Sequence, residues 1–143
     1  MRRRLLILAL GVGFLIITTW LATMLNEVIP YRSTTHIQTA QAGPYQITLQ
    51  VDPNPPLPTQ PAVLTLRVAR SSSQQPVTQA RVTLDSSMET MDMSNEHAEA
   101  QLLPDGTYQA RVQFSMSGPW QVRVSVVESG QQVQHVVFEI TAQ

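Results

Sequence analysis

Three of the chain's six methionines stand within six residues of one another, as Met88-x-x-Met91-x-Met93. They occupy a polar stretch that runs from Ser86 to His97, and a further methionine, Met116, follows in Phe114-Ser115-Met116-Ser117-Gly118-Pro119-Trp120. A thioether is soft and neutral and has no proton to lose, which suits Cu(I), an ion that prefers soft sulfur donors. The candidate metal ligands are therefore Met88, Met91 and Met93, joined by His97 or Met116. Glu89, Asp92 and Glu96 would offset the charge of the ion at longer range, or favour oxidised copper through oxygen. Trp120 would cover a bound cation with its ring face. Two other readings use the same residues, because methionine also makes adaptable protein-binding surfaces and fills irregular gaps in cores. In strand phase Met116 follows Phe114 inward, Met88 caps the end of the domain, and Met91 and Met93, two apart, point the same way. His97 opens a strand and is free in this pattern to face solvent.

The remaining composition narrows the function more by exclusion. The chain has 143 residues, a net charge of -1 and only 13% charged residues, which suits one domain with appendages. Its nine basic residues are all arginine, and three of them are Arg2, Arg3 and Arg4. The rest is mildly acidic, so no nucleic-acid partner is expected. There is no cysteine, which removes disulfides, thiolate metal sites and cysteine lipid anchors. No Gly-x-Ser-x-Gly, His-Glu-x-x-His or glycine-rich phosphate loop occurs, and His36, His97 and His135 are scattered. The chain is read as a non-enzyme.

The scaffold that must carry the methionines begins with a membrane segment. Leu5 to Leu25 contains no charge. As a helix these residues would reach ~31 Å, about the thickness of the hydrocarbon core. The arginines before it should remain in the cytoplasm, so everything after it is exported. The spacing predicts a single-pass anchor in the plasma membrane over 1–25. The competing reading is a cleaved signal, but its small-x-small site, Ala40-Gln41-Ala42, lies well past the apolar run. Residues 26–43 show no apolar period and are expected to form a tether that includes His36.

Residues 44–143 then read as strands. Tyr45, Ile47, Leu49 and Val51 alternate with polar residues. Pro53, Pro55, Pro56 and Pro58 end that run. Further alternations are Val63–Ala69, Val77–Ser86, Ala98–Leu102, Tyr108–Met116, Trp120–Val126 and Gln131–Thr141, with turns such as Pro104-Asp105-Gly106 between them. Seven strands in ~100 residues predict an all-β, immunoglobulin-like sandwich, its core filled by Trp120, Phe114, Tyr108 and valines. His135 is expected on the outer face of the last strand.

The runs Ala42-Gly43-Pro44-Tyr45 to Asp52-Pro53, Ala80-Arg81-Val82, Met88-x-x-Met91-x-Met93, Gly106-x-Tyr108 and Phe114-x-Met116-x-Gly118-x-Trp120 resemble the YtkA-like domain family, which is related to the FixH proteins. The resemblance covers roughly residues 43 to 128. One departure is Glu89 after Met88, where the family commonly has Met-Pro. The resemblance implies a small exported or membrane-anchored sandwich, and it points to copper handling or metal supply to respiratory oxidases. Two expectations follow. The first is a membrane-anchored extracytoplasmic protein that binds Cu(I) or delivers it to a copper protein through the methionine-rich loop. The second is a non-catalytic accessory or assembly subunit of a membrane complex, with Gly11, Gly13 and the loop as contact points.

Overall fold

The computed structural model describes residues 35–88 and 96–143 and, nearer the N-terminus, Gly11, Gly13, Leu15 and residues 17–20. These last residues are helical, and Leu15, Ile17 and Trp20 are exposed. Most of the expected anchor lies outside the described residues. Among the described residues no helix is long and apolar enough to cross a membrane.

The compact unit from Thr34 to Gln143 is all-β. Among the described residues its nine strands are β1 (Ile37–Ala42), β2 (Tyr45–Asp52), β3 (Ala62–Arg70), β4 (Ala80–Met88), β5 (Glu96–Glu99), β6 (Gln101–Leu102), β7 (Tyr108–Val112), β8 (Gly118–Glu128) and β9 (Gln134–Ala142). One antiparallel sheet has the order β1-β2-β3-β7-β6 and the other β5-β4-β8-β9. Alternation decides which side chains each sheet buries. Ile47, Leu49, Leu64, Leu66, Val82, Leu84, Val122 and Val124 are all fully enclosed. They belong to a single apolar cluster drawn from both sheets, which makes the unit a β-sandwich.

Nine strands replace the expected seven, for local reasons. Residues 37–42, expected in the tether, pair with β2 from Ile37↔Gln50 to Ala42↔Tyr45. Their less exposed residues are Gln38, Ala40 and Ala42, polar or too small to make a conspicuous apolar alternation. The expected strand 98–102 divides at Ala100, whose N–H bonds to the Val82 carbonyl (2.9 Å). β5 pairs in one sheet and β6 in the other, so the chain changes sheets there. The alternation from Tyr108 continues inward to Phe114, but the strand ends at Val112.

The sandwich is fastened at both flanks and at one end. Opposite the β5–β6 crossing, Gln38 Nε2 donates to the Glu139 carbonyl (2.8 Å), joining β1 to β9. At the Glu128 end, the Tyr45 hydroxyl donates to Glu128 Oε2 (2.6 Å) and Arg70 Nη2 reaches both carboxylate oxygens (3.1 and 2.9 Å). The Arg70 guanidinium also lies 5.9 Å from the Tyr45 ring centroid. Burial, then the Glu128 hydrogen bond and charge, raise the Tyr45 pKa against the opposing pull of Arg70.

Candidate metal site

Ala80 pairs with Glu128 and Met88 pairs with Trp120. The methionine end therefore lies eight residues along β4 from the Glu128 lock, or ~26 Å at ~3.3 Å per residue. Met88 is the last residue of β4 and shares the inward phase of Val82, Leu84 and Ser86. Its side chain is 8% exposed and belongs to the core. It reaches Gly118: a Cβ at that position would stand 2.7 Å from Met88 Cε. Gly118 also has φ +134°, a backbone conformation that favours glycine.

Met116 lies in the connector between β7 and β8, half-buried against the same core. Trp120 holds it there. The indole N–H donates to the Met116 carbonyl (3.0 Å), and the Trp120 ring meets Phe114 edge to face, with centroids 5.5 Å apart. Met88 and Met116 are thus brought to one end of the sandwich, around Trp120. Met88, which closes β4, and Glu96, which opens β5 opposite Ser86, both lie at this end. Met91 and Met93 lie outside the described residues.

His97 takes a different direction. It pairs with Asp85 across the β4–β5 ladder, and its Nδ1 lies 2.7 Å from Asp85 Oδ1. Asp85 alternates with the inward Leu84 and Ser86, so the pair stands on the outer face, and the His97 side chain is 62% exposed. The sheet therefore separates the His97 ring from the buried Met88 side chain. His135 is exposed on β9, as expected. Among the described residues no three His, Cys, Asp or Glu side chains gather to hold an ion.

Two residues at this end carry roles that the sequence reading did not assign. Ser86 is a fully buried polar residue at an inward position, and its Oγ reaches the Glu96 carbonyl at 3.5 Å. Continuing the Val82–Leu84 alternation by one step would have placed it inward. Glu96 Oε2 accepts the main-chain N–H of Gln113 (2.9 Å), and Gln113 Nε2 donates to the Pro58 carbonyl (2.7 Å). These two contacts join distant parts of the chain, so no local pattern announces them.

A family model described as YtkA-like matches residues 39–125. No curated protein matches the chain. Among solved structures, the chain is similar to a DUF4426 family protein from Pseudomonas aeruginosa PAO1, with 15% identity over 73% of this chain and 94% of that one, at a TM-score of 0.51. It is also similar to FetP of uropathogenic E. coli strain F11, with 11% identity over 73% and 91% of the two chains, at a TM-score of 0.52. At these identities the likeness is one of fold.

Proposed function

The chain belongs to the YtkA-like family, and we propose that it is a membrane-anchored, extracytoplasmic protein that binds Cu(I), or delivers it, through thioethers at the Trp120 end of its sandwich. On this reading residues 1–25 anchor the chain in the plasma membrane with the N-terminus cytoplasmic, and an immunoglobulin-like sandwich stands outside. The observation that carries the proposal is the placement of Met88 and Met116 around Trp120, at the end of the sandwich where β4 closes at Met88 and β5 opens at Glu96; Met91 and Met93 stand between these two strands in the sequence. Thioethers hold Cu(I) without releasing a proton, so binding by these donors is insensitive to mild acid outside the cell. The recipient would be an extracytoplasmic copper protein or a respiratory oxidase under assembly.

The test is a Cu(I) titration of the full-length chain in mild detergent under reducing conditions, in competition with a Cu(I) chelator. Replacing Met88, Met91 and Met93 together by leucine keeps apolar volume and removes the sulfurs. Loss of binding supports the site, and unchanged affinity rejects it.

A second reading, an accessory subunit of a membrane complex, draws support from the exposed Leu15, Ile17 and Trp20 on helical residues. Co-purification from membranes in mild detergent tests it, and a solitary chain would count against it.

A further inference from the structure

We propose that a trough on the outer face of the sheet formed by β1, β2 and β3 binds a sugar that carries a carboxylate, with Arg67 taking the carboxylate and Gln46, Ser71 and Gln74 taking the hydroxyls. The site is independent of the thioether reading above and shares no residue with it.

Strand phase puts these side chains on the outside. Tyr45 and Ile47 on β2, and Leu66 and Val68 on β3, are buried, so Gln46, Thr48, Arg67 and Ala69 take the opposite face. The register sets Gln46 beside Ala69 and Thr48 beside Arg67. Ala69 has only a methyl where its neighbours are long. Two adjoining hollows result, of about 350 and 270 Å³, which share Thr39, Gln46 and Gln74. Three observations point to a ligand there. First, Ser71 lines the larger hollow, and its Oγ is buried without a hydrogen-bond partner among the described residues. A buried hydroxyl left unmet is costly, so it calls for a group to complete it. Second, Gln74 lines both hollows at φ 57°, a conformation that strains a residue with a side chain. Its N–H to the Arg70 carbonyl (2.8 Å) and the Arg70 N–H to the Gln75 carbonyl (2.9 Å) hold it there. Strain of this kind gathers at ligand sites. Third, Arg67 is exposed and has no carboxylate partner among the described residues, whereas Arg70 is paired to Glu128 and Arg81 to Glu99. Among the described residues no Asp or Glu lines either hollow. The trough thus offers one positive charge among neutral amides and hydroxyls. A guanidinium fork matches a carboxylate, and amides and hydroxyls both donate and accept. That combination fits a singly charged anion rich in hydroxyls.

The test is isothermal titration of the full-length chain in mild detergent with glucuronate, compared with glucose and with inorganic phosphate. Glucuronate should bind, and each comparison compound, which lacks the carboxylate or the sugar, should bind more weakly by about tenfold or more. Arg67→Gln, which removes the charge from an exposed position, should weaken glucuronate by about tenfold to a hundredfold. Arg111→Gln makes the same change on the same outer face but away from the trough, and should leave the affinity as it was. Ser71→Ala should weaken binding while the unfolding midpoint stays or rises, because the lost hydroxyl has no partner in the protein. An unaltered chain that does not bind glucuronate would overturn the proposal. Phosphate or glucose binding as tightly as glucuronate would overturn the ligand class. Equal loss in Arg67→Gln and Arg111→Gln would overturn the site in favour of diffuse charge. A Ser71→Ala chain with a lowered midpoint would overturn the role given to that hydroxyl.

Discussion

Replacing Gly118 by alanine should unsettle the methionine end of the sandwich through two separable effects. The first is conformational. Gly118 sits at φ +134°, and holding a side-chain-bearing residue in such a region costs about 1–3 kcal/mol. The second is steric. The new methyl would stand 2.7 Å from Met88 Cε, so the thioether end must retreat by about 1 Å to reach ordinary contact. Methionine is unbranched and bends readily, so this second cost is placed at the low end of overpacking, about 1 kcal/mol. Together they predict a loss of about 2–4 kcal/mol and a midpoint lowered by roughly 10 °C or more. The assay is unfolding of the full-length chain in detergent, followed by the far-ultraviolet signal of the strands. The steric part is isolated by a double-mutant cycle with Met88→Ala. That substitution removes the obstructed side chain, so the pair should be less damaging than the sum of its parts by about 1 kcal/mol. A Gly118→Ala chain within about 0.5 kcal/mol of wild type would refute both effects. Strict additivity with Met88→Ala would refute the close approach alone.

Two other outcomes follow from residues away from that contact. The Tyr45 pKa is raised in the folded state above its ordinary value of 10.0, chiefly by burial and then by Glu128. Its contribution to stability is complete below that ordinary value and is lost as pH climbs through the raised one. Tyr45→Phe should therefore flatten the alkaline fall in melting temperature, while costing about 1.5–3 kcal/mol near neutrality for the lost bond to a charged partner; an alkaline slope identical to wild type would contradict this. His97→Ala removes an exposed ring whose partner among the described residues is the outer-face Asp85, so stability should move by less than about 0.5 kcal/mol and Cu(I) affinity should stay unchanged in the chelator competition, with any marked weakening placing the imidazole at the ion after all.

The parts of this fold that could be read in the sequence are those where large apolar residues announce their own alternation. β2, β3 and β8 were visible in Tyr45–Val51, Val63–Ala69 and Trp120–Val126, because valine, leucine and isoleucine mark the buried face. β1 was hidden because its less exposed residues are Gln38, Ala40 and Ala42, which contribute little apolar contrast. The inward phase of Met88 was implicit in Val82, Leu84 and Ser86, and the β-sandwich followed from strand count and turn spacing. What stayed invisible was pairing across distance. Nothing near His97 says that its partner is Asp85, since that depends on the β4–β5 register. Likewise, the Arg70–Glu128–Tyr45 lock and the Glu96–Gln113 bond join residues separated by long stretches of chain.

The passage of the chain from one sheet to the other at Ala100 has a further consequence. Sheets stacked face to face carry outermost strands whose backbone groups invite other chains to add on, a route to aggregation. Here one flank is stitched by the polypeptide itself, in lengths of only four and two residues, and the other is clasped by Gln38 against Glu139. Copies of this chain that meet are thereby offered little template along the β5–β6 flank, and encounters between them are steered away from strand exchange there.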